Sequence, residues 1–207
     1  MKFDIHLHTS FSPCGEASVD EMINAALEKG LDGICITDHQ TMEARLHINE
    51  GPQDKGLVVI IGMEYSTRGG DFIIFGPFDE IEQGLTAEEL LYYVSEADGI
   101  AVAAHPLRAE RPVDPSLFEK GLISVIESVN SRNTPAENAG AEELLEKYDL
   151  KGIAVSDAHS PDETGKAITI FHKPVLSTAD LVTALRSGSF SVEHAVEAPA
   201  KVPLLSD

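Results

Sequence analysis

What most restricts the fold of this chain is a recurring pattern of short, unbroken apolar runs separated by segments of helical periodicity. The runs fall at residues 3–7, 33–37, 57–64, 72–75, 100–104, 122–128, 152–156 and 167–171. Unbroken runs, as opposed to alternation of apolar and polar residues, suit parallel strands covered on both faces. Their interleaving with helical segments predicts an α/β layout. Ser18-Val19-Asp20-Glu21 and Thr86-Ala87-Glu88-Glu89 both read as capping boxes, and Thr178 opens an apolar-periodic run. Gly30 and Gly188 read as helix stops, and residues 133–150 supply a further helix. No repeat, low-complexity block or linker divides the chain. It is expected to form one domain over residues 1–207, with 189–207 a C-terminal extension whose order the sequence leaves open.

The residues able to do chemistry collect at the ends of these runs. Asp4-Ile5-His6-Leu7-His8 places two imidazoles two apart, on one side of a strand. Ile36-Thr37-Asp38-His39, Ile61-Gly62-Met63-Glu64, Ala103-Ala104-His105-Pro106 and Val155-Ser156-Asp157-Ala158-His159 each close an apolar run with an acid, an imidazole or both. In a βα-barrel the C-terminal strand ends converge on one face, where active sites are built. A polar residue at one strand end is commonplace. Mixed imidazoles and carboxylates at five of them need a counter-charge, because clustered acids repel and resist ionisation. Divalent cations supply it, and the donors outnumber the needs of one tetrahedral site, so two or three metals sharing carboxylates are expected. Imidazole donors suit zinc, manganese or iron.

Charge narrows the partners. There are 35 acidic and 15 basic residues, a formal net charge of −20, with no basic run. Long nucleic acid is bound through Lys/Arg clusters that displace counterions, so the balance favours a small anionic substrate. The two cysteines, Cys14 and Cys35, form no disulfide framework, and Cys35 within Ile34-Cys35-Ile36 reads as a buried small hydrophobe. No apolar run is long enough to span a bilayer and no signal-like segment opens the chain, so a cytoplasmic location without membrane partners is expected.

The order His-x-His, Asp-His, Gly-x-Glu, His-Pro and Ser-Asp-Ala-His, running from Asp4 to the helix near Leu185, resembles the PHP (polymerase and histidinol phosphatase) superfamily. The segments 104–108 and 129–133 are similar to those of its small stand-alone members. The resemblance implies a distorted (β/α)7 barrel with up to three metals. It implies that His6, His8, Glu64 and Asp157 hold the first metal, and that Glu64 bridges to a second, held also by His105. His39 and His159 would hold a third, with Asp38 orienting an imidazole. Family members often carry His or Asp in the loop after the first strand. This chain has Ser12-Pro13-Cys14-Gly15 there, so either Cys14 supplies a thiolate ligand or the third site is incomplete. They also often place a histidine after the Glu strand, where Asp71 is the donor available.

The function expected is hydrolysis of a phosphate ester on a small molecule by a water that the metals deprotonate. Arg108 would grip the phosphate, and His159 or a metal-held water would protonate the leaving oxygen. Arg132 is a weaker candidate for the same grip, and His47, His172 and His194 read as surface or packing residues. Two alternatives stay open: another metal-dependent hydrolase of amidohydrolase-like type, and a non-catalytic PHP-like module that binds a partner.

Overall fold

The computed structural model describes residues 1–78 and 81–194. In chain order the elements are β1 (Lys2–Leu7), α1 (Val19–Glu28), β2 (Gly33–Ile36), a short 3-10 turn (Glu43–Leu46), β3 (Gly51–Pro52), β4 (Val58–Ile61), β5 (Met63–Thr67) and β6 (Gly70–Phe75). They continue with α2 (Ala87–Glu96), β7 (Ile100–Ala103), α3 (Pro115–Glu119), β8 (Val125–Asn130), α4 (Pro135–Tyr148), β9 (Lys151–Val155), β10 (Ala167–Phe171), α5 (Thr178–Ser187) and β11 (Phe190–His194).

The local signals explain most of these bounds. Ser18 and Thr86 are the N-caps of α1 and α2, each in a complete capping box. A third box, Thr134 with Glu137, starts α4 and had no counterpart in the sequence expectation. Helix α5 is capped one residue earlier than expected, by Ser177, whose hydroxyl accepts from the Asp180 amide. Gly188 ends that helix at φ +72°, a left-handed conformation that favours glycine.

The strands form two sheets, ordered β11-β10-β1-β2-β4-β3 and β5-β6-β7-β8-β9. Pairs β1–β2, β2–β4, β7–β8 and β8–β9 are parallel, whereas β1–β10, β5–β6 and β6–β7 are antiparallel. The α/β class is therefore as expected. The hydrogen bonding describes two sheets, not one continuous ring of seven repeating units. They touch through isolated bridges, Leu7 with Ala158 and His39 with Glu64. Alternate side chains from both sheets, among them Phe3, Ile5, Ile60, Phe75, Val102 and Val155, meet in one core cluster with Leu181 and Leu185 of α5. The intervening ones, such as Ile34, Ile36, Val59 and Ile74, pack with α1 and α2. Fully burying each such aliphatic or aromatic side chain stabilises by about 1.5–3 kcal/mol. Cys35 is buried in the first cluster, as expected.

One boundary changes the picture of the site. The run 57–64, expected as one strand, breaks at Gly62 into β4 and β5, which belong to different sheets. A Cβ on Gly62 would lie 2.5 Å from the Phe75 ring and 2.6 Å from the Ile74 carbonyl oxygen, so only glycine lets the chain cross there. Glu64 thus lies near the start of β5, at the seam between the sheets, and does not end a strand. Residues 190–194 of the expected extension pair with β10, and 195–207 lie outside the described residues. Among the described residues no helix is long and apolar enough to cross a membrane.

Candidate metal centre

The seams bring the candidate donors together. At one seam the His8 amide donates to the Ala158 carbonyl at 2.8 Å and the Ala158 amide to the His6 carbonyl at 3.2 Å, setting the first strand beside the Asp157-His159 loop. At the other, the Gln40 amide donates to the Glu64 carbonyl at 3.0 Å. Asp4 secures the first seam further. It is buried and accepts from the amides of Ser156 and Gly165 and from the Ser156 hydroxyl, and burial pushes its carboxyl up to about 6. Asp71 reaches the same face because β6 runs antiparallel, so its first residues lie level with the end of β7.

Hydrogen bonds fix which ring nitrogen each histidine presents. Glu127 Oε1 lies 2.6 Å from His6 Nδ1, which donates to it and leaves the Nε2 lone pair facing inward. The Ser12 hydroxyl donates to Asp38 Oδ1 at 2.6 Å, so its oxygen can accept from His8 Nδ1 at 3.2 Å, and His8 too presents Nε2. His159 Nδ1 donates to the Asp157 carbonyl at 2.8 Å, with the same result. Asp38 thus reaches the His8 imidazole through the Ser12 hydroxyl and not directly.

The donor spacings fit a cation. His6 Nε2 and His8 Nε2 are 2.9 Å apart. Glu64 Oε2 lies 3.3 and 3.2 Å from them, and Asp157 Oδ1 3.5 and 3.4 Å. Four ligands at the usual zinc–nitrogen and zinc–oxygen distances form a tetrahedron with edges of about 3.3 Å. Lone pairs at that spacing with no proton between them repel unless a cation sits among them. Glu64 turns its other oxygen to His105 Nε2 at 3.0 Å, and Oε2 also lies 3.0 Å from His39 Nδ1. Asp71 completes a group with Glu64 and His105, and Cys14 completes one with His8, His39 and His159, the donor atoms of each group within 4.8 Å of one another. Asp71 Oδ1 lies 3.1 Å from Arg111 Nη2 without hydrogen-bond alignment, so this buried oxygen has no donor among the described residues.

Without a cation, protons on His6 and His8 take its place among these donors. Burial opposes a proton on His6, but Asp157, Glu127 and Glu64 outweigh it and hold the imidazole well above its ordinary value. His8 is raised likewise, against burial, by hydrogen bonds with Asp157 and Glu64. Burial lowers His39 to about 4 and lowers His159, leaving both imidazoles neutral. Burial works against ionisation of Glu64 and Asp157, yet the charge on His6 and their hydrogen bonds hold both well below the carboxylate range. The backbone carries strain here as well. His105 and Asp157 adopt φ of +29° and +56°, a conformation that costs a non-glycine residue roughly 1–3 kcal/mol and tends to mark functional sites.

Arg108 lies at the rim, its Nη2 2.8 Å from Asp157 Oδ2 and 2.9 Å from Asn133 Oδ1. Arg132 pairs with Glu163 at 2.9 Å. The His47 ring lies tilted against Phe11, the His172 ring meets Ser191, and His194 ends β11. Sequence reasoning missed Glu127 and Asn130. Besides His6, Glu127 accepts from the His105 amide at 2.7 Å and from Asn130 Nδ2 at 2.8 Å. The available signal was a carboxylate inside the apolar stretch Val125-Ile126-Glu127, since a fully buried acid requires partners.

The chain is 42% identical to the probable histidinol-phosphatase of Thermotoga maritima, over 80% of this chain and 87% of that protein. The structure of PsfC from Pseudomonas syringae resembles it with a TM-score of 0.77 at 20% identity, covering 96% of this chain and 93% of that one. The lesion-specific endonuclease PfuEndoQ of Pyrococcus furiosus shares the fold with a TM-score of 0.68 at 16% identity, over 92% of this chain but 57% of that chain. The PHP domain family matches residues 4–174, carrying every donor described above, and the chain belongs to that family.

Proposed function

We propose that the chain is a metal-dependent phosphoesterase acting on a small phosphorylated substrate. His6, His8, Glu64 and Asp157 hold one divalent ion, Glu64, Asp71 and His105 a second, and Cys14, His39 and His159 a third. The observation that carries this reading is that the inward Nε2 atoms of His6 and His8 lie 2.9 Å apart, with Glu64 Oε2 and Asp157 Oδ1 each 3.2–3.5 Å from both. The two sheets are then halves of the distorted barrel that the family resemblance implies, with the site at one end of both seams. Bound ions would supply Lewis acidity, lowering the pKa of water and offsetting phosphate charge.

The residues of the chain do the positioning. Asn133 and Asp157 engage Arg108 through Nε and Nη2, which fixes the guanidinium plane. Its Nη1 has no partner among the described residues and is the edge offered to a phosphate oxygen. His159 cannot ligate through Nε2 and donate a proton from it at once. With Nδ1–H committed to Asp157 and its pKa lowered by burial, the ligand role suits it better. The leaving oxygen then takes its proton from water.

A formal charge of −20 favours a small ester over a long duplex. The fold is nonetheless shared with an endonuclease, so nucleic acid belongs in the test. The metal-loaded protein should be screened against phosphomonoesters including histidinol phosphate, small phosphodiesters, a duplex with an abasic lesion, and amide and lactone substrates. Release of phosphate or cleavage of a small diester, reduced in Arg108→Ala, supports the reading. Turnover confined to amides or lactones would overturn it, and turnover confined to the duplex would overturn the small-molecule part.

A further inference from the structure

The donor groups differ in chemistry as well as in place. The group of Glu64, Asp71 and His105 offers two carboxylates and one imidazole. The group of Cys14, His39 and His159 offers a thiol and two imidazoles. His8 also lies near the second group, but its Nδ1 faces Ser12, and its Nε2 is already among Glu64, Asp157 and His6. One imidazole nitrogen serves one ion. The thiol group therefore has three donors of its own and an open fourth position, the arrangement of catalytic more than structural zinc sites.

Cys14 is exposed, but its place is set by the backbone around it. The Ser12 amide donates to the Thr9 carbonyl and the Gly15 amide to the Ser12 carbonyl. A Cβ on Gly15 would fall 2.0 Å from the Thr9 carbonyl oxygen, so the turn closes that tightly only with glycine. Two residues after Cys14, the Glu16 amide donates to the His159 carbonyl at 3.0 Å. The loop that carries the sulfur is thus bonded to the loop that carries one of its partner imidazoles.

We propose that the centre is mixed. Cys14, His39 and His159 form a soft, thiolate-containing site that selects zinc, beside a hard, carboxylate-rich site at Glu64, Asp71 and His105 that accepts manganese. Thiolate donors select soft and borderline ions, whereas carboxylates suit manganese. The inference rests on the metal-dependent reading above, but its test reads metal content and spectra, so a failed phosphoesterase screen leaves it standing or falling on its own.

Zinc outcompetes manganese at nitrogen and oxygen sites in general, so zinc retention alone decides nothing. The decisive quantity is how the competition changes at Cys14. Stripped protein, Cys14→Ser and Cys14→Asp are equilibrated with graded zinc and manganese mixtures, and bound metals are counted by elemental analysis. The three are also loaded with cobalt(II) and their near-ultraviolet spectra recorded. In the unaltered protein one zinc should persist to the highest manganese excess, and the cobalt form should show thiolate-to-cobalt charge transfer. Loss of a direct ligand should cost at least the roughly 10–100-fold that outer partners cost. Cys14→Ser should therefore lose that zinc and the band. Cys14→Asp should regain an ion there but prefer zinc over manganese about tenfold less than the unaltered protein does. A cobalt spectrum without charge transfer, or competition curves unchanged in both variants, would overturn the proposal.

Discussion

Replacing Glu127 by glutamine changes one oxygen to an amide group and separates two functions of that side chain. Glu127 is fully buried, with Oε1 on His6 Nδ1 at 2.6 Å and Oε2 on the His105 amide at 2.7 Å and Asn130 Nδ2 at 2.8 Å. All three partners are donors, and a carboxylate satisfies them together. Glutamine cannot. If its oxygen stays on His6, its amide group confronts two N–H donors. If it turns, the amide group confronts His6 Nδ1, which must give up its proton, and the Nε2 lone pair meant for a metal is lost. A buried donor left unsatisfied costs about 1–3 kcal/mol, and two of them roughly 2–6 kcal/mol. Alternatively the outer partner of a metal ligand is lost, at about 10–100-fold in metal affinity, which is roughly 1.4–2.8 kcal/mol. Chelator competition measures the metal affinity of Glu127→Gln, and urea unfolding of the stripped protein measures stability. At least one should fall by the amount stated. A double-mutant cycle with His6→Ala, read on metal affinity, should show coupling of about 1 kcal/mol or more, because the effect passes through that imidazole. Unchanged affinity together with an unchanged urea midpoint would refute the reasoning.

Elemental analysis of Glu64→Gln should show more metal lost than in His159→Ala, since Glu64 faces both His6/His8 and His105 whereas His159 joins one group; equal, small losses would contradict the assignment. The stripped protein should lose stability as pH rises above 6.5. His6 and His8 are raised above the ordinary 6.5, so their contribution is full below that value and fades as pH rises through the folded pKa values. His39 and His159, being lowered, act only below 6.5, and the metal-loaded protein, whose ligands must be deprotonated, should show the opposite slope in thermal melts. Lys29→Met should cost about 1–2 kcal/mol in urea unfolding, because its ammonium holds the carbonyls of Pro161, Asp162 and Thr164 at 2.6–3.0 Å and so pins the loop after His159; an unaltered midpoint would sink this.

Most of the candidate donors that the fold brings together were legible because a charged or imidazole group that ends an apolar run is costly there without a partner, and several such ends imply a common one. His6, His8, His39, His105, Asp157 and His159 follow that logic, and all six lie in or against the clusters. Glu64 was identified by the same rule although its premise did not hold, because Gly62 hands the chain from one sheet to the other before Glu64 is reached. Residues interior to strands were illegible by that rule. Glu127 follows Ile126 and lies inside β8, where a register shift between Glu127 and Val129 turns the strand at this point. Ser12 was passed over as a loop residue, although its hydroxyl links Asp38 to the His8 ring.

The sheet break and the metal centre have one physical origin. A continuous ring would have its strands hydrogen-bonded all round, with backbone groups satisfied by neighbouring strands. Among the described residues the two seams carry isolated bridges in place of continuous ladders, and residues beside them turn into conformations that regular strands do not use. Gln40, next to His39 at one seam, has φ +57°, and Asp157, next to Ala158 at the other, has φ +56°. Carboxylates and imidazoles from opposite sheets can approach within 3.0–3.5 Å because the side chains at the seams are freed from strict inward and outward alternation. A site so built depends on what holds the seams. Asp4 is central to one of them, accepting from Ser156 and Gly165 across the gap between the first strand and the Asp157 loop. Its conversion to asparagine would set an amide group against one of those donors. Metal affinity should then fall together with stability, even though Asp4 itself contributes no donor to the clusters.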